Sequence, residues 1–101
     1  MNNNLMVIES SNVLTMSSLE IAELTGKQHK HVLTGIRNML NSLNINSAVF
    51  TAQYKDSTGR MYPCYNLPKR ETLILVSGYS VAIRARVIDR WQELEEKQTL
   101  S

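Results

Sequence analysis

The clearest hydrophobic periodicity in the chain lies between Ser17 and Leu43, where two helical patterns follow one another. The first pattern opens with Ser17 and has Glu20 three residues later, which is the spacing of a capping box. It is interrupted at Gly26, a residue that can adopt the left-handed conformation that ends a helix. Apolar residues then recur at helical spacing, which predicts a second helix with one buried side. These apolar positions are Val32, Leu33, Ile36, Met39, Leu40 and Leu43.

Two β-prone runs follow the second helix and predict a hairpin. The strands are predicted at 49–55 and 60–66, joined by the turn sequence 56–59, in which Gly59 suits the position with a positive φ. A turn of this length would place Lys55 directly opposite Arg60. Pro63 has no N–H, so its open side should face outward on a sheet edge. Two shorter runs, at 5–8 and 13–15, predict a small hairpin ahead of the first helix.

Two further helices are predicted in the last third of the chain. Pro68 favours the first turn of a short helix that Gly78 ends. Ser80 can cap a longer helix that runs from Val81 to about Lys97. Four apolar residues form a stripe along this longer helix, which we assign to a dimer or partner interface, with an ordinary core helix as the alternative. They are Ile83, Val87, Trp91 and Leu94.

Together these elements predict an α+β fold, in the form of one winged helix-turn-helix-like domain over residues 1–101. Its parts are an N-terminal β-hairpin, a helix-turn-helix, a second hairpin placed as a wing, and two C-terminal helices. Residues 1–4 and 98–101 are expected to be flexible. The chain has no apolar run of about 18 residues, so we expect no membrane span. Its single cysteine, Cys64, excludes an internal disulfide and fits a reducing cytoplasm.

Charge is distributed unevenly along the chain. No Asp or Glu occurs between Glu23 and Asp56, and the span 27–70 carries seven bases and one acid, a net charge of +6 in a chain whose total is +2. Compensating acids are concentrated at 93–96. This separation indicates one surface suited to a polyanion.

The outward side of the second helix is the main candidate for that surface. Lys27 and Lys30 oppose the helix dipole at a cost of roughly 0.3–1 kcal/mol each, an effect whose sign a nearby phosphate would reverse. This pattern is typical of a helix-turn-helix protein whose second helix enters the major groove of DNA. The alternative is a helical hairpin with a solvated basic face. The candidate DNA contacts are Lys27, Gln28, Lys30, His31, Thr34 and Arg37.

Further candidate DNA contacts lie in the hairpin and at the start of the helix after it. The hairpin offers basic side chains, hydroxyl groups and backbone amides to a phosphate, although a solvated polar turn would have the same sequence. The next helix has two bases in its first turn, where an anion can bind. These candidates are Lys55, Ser57, Thr58, Arg60, Lys69 and Arg70. His29 projects toward the apolar side of its helix, so we expect it to pack or cap instead.

The sequence offers little for catalysis. His29 and His31 diverge on a helix and cannot share a metal ion, and Cys64 has no neighbouring histidine or acid in the sequence. Neither paired carboxylates nor a phosphate-binding glycine loop is present. We therefore expect no enzyme, no metal and no cofactor, and double-stranded DNA as the partner. The alternative is an antirepressor-type module that binds a repressor or polymerase component, which the mixed charges of the last helix and Trp91 favour.

Three segments carry a resemblance to a known family: IAELTGKQHKHVLTGIRNML, DSTGRMYPCYNLPKRETLILVSGYS and VAIRARVIDRWQELE. Over residues 14–96 the chain resembles the N-terminal domain of the Rha family of phage regulatory proteins, which includes the Roi-type proteins. The resemblance implies a prophage-encoded transcriptional regulator with a winged helix-turn-helix, acting in the cytoplasm of the bacterial host cell. It fits a homodimer through the last helix and a phage or host regulatory protein as partners.

Two departures from the family pattern change what is expected. Many members have an acid–amide pair where this chain has Lys30-His31, so its target sequence should differ if these positions contact bases. Many relatives also carry a further C-terminal domain, often of antirepressor type. The chain is therefore expected to be a short member or the N-terminal piece of a longer protein.

Overall fold

A computed structural model describes residues 13–100, in which a two-residue strand leads directly into a pair of helices. The strands and helices of this part are β1 (Met16–Ser17), α1 (Ser18–Thr25), α2 (His29–Ser42), β2 (Thr51–Lys55), β3 (Met61–Leu67), α3 (Lys69–Val76) and α4 (Val81–Leu100). A short 3₁₀ turn, Ser47–Val49, precedes β2. The strands form an antiparallel sheet in the order β1-β3-β2. The described residues therefore confirm the predicted α+β class.

Helix α1 begins and ends as the sequence predicts, but half of the predicted capping box is replaced. The Ser17 hydroxyl accepts the backbone N–H of Leu19 at 3.1 Å, and Gly26 ends the helix with φ +71°. The carboxylate of Glu20 accepts a hydrogen bond from Arg90 of α4 at 2.7 Å. In a capping box Glu20 would bond to the start of its own helix. Here it joins α1 to α4 instead.

Helix α2 begins two residues later than Lys27. Its N-cap is Gln28, so Lys27 and Gln28 lie in the three-residue turn between α1 and α2. The inward side of α2 agrees with the predicted periodicity, because Val32, Ile36 and Leu40 are fully buried.

The hairpin has a different register from the one predicted. Lys55 pairs with Met61, so the prediction that Lys55 lies opposite Arg60 is wrong. The reason is Asp56, whose N–H donates to the Arg60 carbonyl and whose Oδ1 accepts the Arg60 N–H, each at 3.0 Å. This pairing sets Asp56 across from Arg60. Gly59 has φ +89°, as the turn sequence predicts.

Strand β3 lies in the centre of the sheet, but at Pro63 it has a neighbouring strand on one side only, so the open side of Pro63 faces outward as predicted. β1 pairs only with the last two residues of β3, Asn66 and Leu67. The N–H of Tyr65 faces away from β2 and donates to the Ser18 hydroxyl at 3.1 Å. Pro63, two residues earlier, has the same orientation beyond the end of β1, so its missing N–H leaves no bond unmade.

The predicted boundaries are otherwise close to the observed ones, with four exceptions. The strand predicted at 13–15 is wrong, because the strand in this part of the chain is β1 at Met16–Ser17, which pairs with β3. The strand predicted from residue 49 begins at Thr51, after the 3₁₀ turn. Helix α3 ends at Val76 with Ser77 in a right-handed conformation, so Gly78 is not its left-handed cap. Ser80 caps α4 by accepting the N–H of Ile83 at 3.3 Å, and the helix runs to Leu100, past the predicted end near residue 97. The predicted strand at 5–8 lies outside the described residues.

The core lies between the sheet and the four helices. Its largest fully buried side chains include Trp91, Met16, Ile21, Ile36, Leu40 and Leu67. Each helix and strands β1 and β3 contribute at least one buried residue to it, so the orientation of α2 is fixed by apolar packing on its inner side. Among residues 13–100, no helix is both long and apolar enough to cross a membrane.

Candidate nucleic-acid interface

The outward side of α2 and the turn before it carry the exposed polar side chains that the sequence singled out. The exposed residues of this group are Lys27, Gln28, Lys30, His31, Thr34 and Arg37. Within the described part of the chain, no acidic side chain lies within ion-pair distance of Lys30 or Arg37. The Thr34 hydroxyl donates to the Lys30 carbonyl at 3.0 Å, so its proton is already used within the helix. We call this set the α2 face.

The N-terminus of α2 is electrostatically positive and has no side-chain cap. Gln28 occupies the N-cap position without a capping hydrogen bond, and the first turn contains no acid. Lys30 adds a full charge to the partial positive charge of the helix dipole at the same end. The arrangement favours an anion in front of α2 and is unfavourable without one.

Lys27 is held beside this helix end by two contacts. Its ammonium lies 4.7 Å from the centre of the Tyr79 ring, and its N–H donates to the Thr25 hydroxyl at 3.3 Å. Burial raises the pKa of Tyr79, so its hydroxyl stays neutral at physiological pH. The cation–π contact therefore places the positive charge of Lys27 next to the first turn of α2.

The turn of the β2–β3 hairpin is organised by Asp56. Its Oδ1 accepts the hydroxyl of Thr58 at 2.6 Å and the backbone N–H of Thr58 at 2.9 Å. The Thr58 hydroxyl is the main cause that lowers the pKa of Asp56, with the N–H groups of Arg60 and Thr58 and a bond from Tyr62 adding to it against partial desolvation. Thr58 therefore holds the turn, and its contact with a phosphate stays a prediction. The exposed groups left at the hairpin are Lys55, Ser57 and Arg60.

The start of α2 and the hairpin meet through aromatic rings. The His29 ring contacts Tyr54 edge to face, with 5.9 Å between their centres, and His29 Nε2 lies 2.8 Å from the Ser18 hydroxyl. This confirms that His29 packs instead of facing outward. Because side chains alternate along a strand, Lys55 projects from the opposite side of β2 to Tyr54. The structure thus brings the α2 face and the hairpin together, with Lys55 on the far side of the hairpin.

Lys69 and Arg70, at the start of α3, are engaged by acids. The ammonium of Lys69 lies 2.9 Å from Glu95 of α4, and the guanidinium of Arg70 lies 2.8 Å from the carboxylate of Glu71. Their local charge is therefore balanced, and a phosphate contact at these two residues stays a prediction. The sequence could not predict the Lys69–Glu95 pair, because Glu95 is distant in the chain and comes near only when α3 and α4 pack.

Comparison with known proteins assigns the chain to a family. The family model of the phage regulatory protein Rha matches residues 16–96. The chain belongs to the Rha family of phage regulatory proteins. The match includes all of α1, α2, the hairpin and α3, and most of α4, so the resemblance predicted from the sequence is confirmed.

A relative of this Rha-family chain is YoqD of Bacillus subtilis (strain 168), an SPbeta prophage-derived protein named as a candidate antirepressor. The two are 28% identical over 105 aligned positions, which cover 95% of this chain. The chain spans 42% of the length of that relative. No solved structure matches this Rha-family chain.

The apolar stripe of α4 lies mainly in the core of the Rha-family domain. Val87 is fully buried and Trp91 is 2% exposed, while Ile83 and Leu94 are half-buried. The surfaces of Val87 and Trp91 are thus covered by the chain itself, so the ordinary core helix accounts for them. Trp91 could be placed by its spacing on α4, but spacing does not say whether the covering partner is the same chain or another.

Four residues with a clear role at this site were missed from the sequence. Ser18, Tyr54, Tyr62 and Tyr79 hold His29, the hairpin and Lys27 in place. Two of them could have been found from the sequence, since Tyr54 and Tyr62 become cross-strand partners once the hairpin is given its observed register. Ser18 and Tyr79 had none, because their partners come from other elements.

Proposed function

We propose that this Rha-family chain is a DNA-binding transcriptional regulator with a winged helix-turn-helix arrangement. In this proposal α2 lies in the major groove of double-stranded DNA, α1 supports it, and the β2–β3 hairpin acts as a wing on the sugar–phosphate backbone. The observation that carries the proposal is the α2 face: an exposed, acid-free row of polar side chains on a helix whose opposite side is locked in the core.

The dimensions of α2 suit a groove. A helix of 14 residues is about 21 Å long, and the major groove is about 12 Å wide, enough for a helix with its side chains. Base contacts usually come from the N-terminal part of such a helix. That part carries Lys30, His31 and Thr34, whereas Arg37 lies further along and suits a phosphate.

The side chains of α2 suggest a division of roles. Lys30 can donate to the O6 and N7 acceptors of guanine, and the exposed Thr34 can contact the methyl group of thymine through its own methyl group. Lys27, fixed over Tyr79, suits a phosphate at the edge of the groove. On the wing, Arg60 and Lys55 supply cations without an acid partner among the described residues. The family's acid–amide pair is absent at Lys30-His31, which predicts a different target sequence.

The test is to measure binding to mixed-sequence duplex DNA by fluorescence anisotropy at several salt concentrations. If Lys27, Arg37, Lys55 and Arg60 each neutralise a phosphate, log K should fall against log salt with a slope of about −3 to −4. Selection from a random duplex pool should then enrich one sequence. Absence of binding at low salt would overturn the proposal.

A second candidate function is favoured by the name of the relative YoqD, a candidate antirepressor. In this case the chain binds a repressor protein, and the exposed acids of α4, Glu93 and Glu96, are the natural contacts for a basic partner. A variant that carries both Glu93→Gln and Glu96→Gln should then no longer bind a purified phage repressor, but its affinity for DNA should be unchanged. Unchanged binding of the repressor would count against this candidate.

A further inference from the structure

We propose that His29 and Tyr54 are positioning residues of the DNA-binding site. They fix the β2–β3 hairpin against the start of α2, so that the wing cation Arg60 and the α2 face contact the same duplex. This inference rests on the proposed function, and it assigns a role to side chains that do not themselves touch DNA.

The first half of the link anchors His29 to the body of the domain. The Ser18 hydroxyl accepts the N–H of Tyr65 at 3.1 Å, which leaves its own hydrogen for His29 Nε2 at 2.8 Å. Burial lowers the pKa of His29, so the ring is neutral at neutral pH and its Nε2 can accept that hydrogen. Ser18 begins α1 and Tyr65 lies in β3, so the first residue of α2 is held by two other elements.

The second half of the link runs from His29 to the tip of the hairpin. His29 packs edge to face on Tyr54, at 5.9 Å and 79°, and Tyr54 contacts its cross-strand partner Tyr62 at 5.8 Å. Tyr62 lies near Asp56 and is one of the groups that lower the pKa of that carboxyl. Asp56 in turn accepts the N–H of Arg60 at 3.0 Å. Packed rings, followed by the neighbouring Asp56 and its bond from Arg60, therefore lead from the first residue of α2 to the wing cation.

The link matters because a hairpin gains little rigidity from its own strands. An isolated two-stranded hairpin is marginally stable in water, and β1 does not extend along β3 as far as the turn. The outer part of the hairpin depends on contacts made by its inner side, at Tyr54 and Tyr62. A wing that is already positioned binds without the entropic cost of ordering it on the DNA.

The experiment is a pair of double-mutant cycles on duplex affinity, with the salt slope as a second readout. Tyr54→Ala is combined with Arg60→Ala in one cycle and with Arg37→Ala in the other. Tyr54→Ala alone should reduce the magnitude of the salt slope by about 1, as Arg60→Ala does, although it removes no charge. Adding Arg60→Ala to Tyr54→Ala should then cost little more, a non-additivity of about threefold or greater. The cycle with Arg37→Ala should be additive.

Two further variants separate positioning from folding. Tyr54→Phe keeps the ring contact with His29 and should restore both affinity and slope. His29→Leu breaks the link at its other end and gives a second cycle with Arg60→Ala if Tyr54→Ala does not fold, as judged by circular dichroism.

The outcomes distinguish this inference from the proposed function. Salt-dependent binding by the wild type, with additive effects of Tyr54→Ala and Arg60→Ala, would overturn the positioning role and leave the DNA-binding proposal standing. No duplex binding by the folded wild type would overturn both. Equal non-additivity with Arg37→Ala would also overturn the positioning role, because the effect would then not be specific to the wing.

Discussion

Arg90 Nε donates a hydrogen bond to Glu20 Oε2 at 2.7 Å and joins the last helix to the first across 70 positions of sequence. The same guanidinium reaches Glu93 at 3.2 Å on its own helix. The hydrogen bond that Arg90 donates to Glu20, and after it the one to Glu93, raise the pKa of Arg90, so its guanidinium stays charged at any physiological pH. Since α1 also packs against α2, this contact links the last helix to the helix pair that carries the α2 face.

Removing the charge of Glu20 should weaken the attachment of α4 to α1. We expect Glu20→Gln to lower the Tm measured by circular dichroism, by an amount that shrinks as salt is added, because the pair is partly solvated. Glu23→Gln, an exposed acid on the same helix, is the matched control and should leave the Tm nearly unchanged. Equal effects of the two variants would show that Glu20 contributes only through general charge.

The packing of α2 should be separable from its outward chemistry at adjacent positions. Ile36 is fully buried, and Ile36→Ala should lower the free energy of unfolding by about 2–5 kcal/mol through the cavity it leaves. Arg37 is exposed, and Arg37→Ala should change that free energy by less than about 0.5 kcal/mol. Urea denaturation of both variants is the measurement. A large loss of stability in Arg37→Ala would mean that Arg37 supports the fold.

Two glycines should respond differently to the same substitution. Gly26 has φ +71°, a conformation in which a Cβ costs about 1–2 kcal/mol, so Gly26→Ala should destabilise by that amount. Gly78 has no left-handed backbone and open space around it, so Gly78→Ala should be neutral or slightly stabilising. Denaturation midpoints test both, and a neutral Gly26→Ala would contradict the observed ending of α1.

Stability should depend on pH through His29. Burial lowers the pKa of His29 below its ordinary value of 6.5, so the unfolded chain takes up a proton before the folded one does. The free energy of unfolding should therefore be highest above that value and fall as the pH drops toward the pKa of the folded state. Urea midpoints across this range should lose part of their pH dependence in His29→Gln. The exposed control His31→Gln should keep it, and equal behaviour of the two would contradict the account.

Local chemistry made much of the fold predictable. The apolar spacing of α2, the positive φ of Gly26 and Gly59, and the capping by Ser80 each depend on residues within a few positions of one another. The predictions were wrong where a side chain bonds to a group other than the one that local spacing suggests. Asp56 accepts the N–H of Arg60, so the hairpin has a register other than the predicted one. Glu20 accepts a hydrogen bond from Arg90 instead of bonding to the start of its own helix.

The candidate site was predictable as a charged face but not as an arrangement. Exposure of Lys30 and Arg37 follows from the helical period of α2. The pairing of Lys69 with Glu95 depends on how α3 meets α4, and the aromatic link at Tyr54 depends on how α2 meets the hairpin. Such contacts between elements have no signature in the spacing of residues along one element.

The measurement that tests the central claim most directly compares two double variants with the same loss of charge. Duplex affinity is measured against salt for Lys30→Ala with Arg37→Ala, and for Lys69→Ala with Arg70→Ala. The account predicts that the first pair weakens binding and reduces the magnitude of the salt slope by about 1, through the phosphate contact of Arg37, whereas the second changes the slope little, because its charges are already paired with Glu95 and Glu71. Equal effects of the two pairs, or an unchanged slope in the first, would contradict the assignment of the α2 face to DNA.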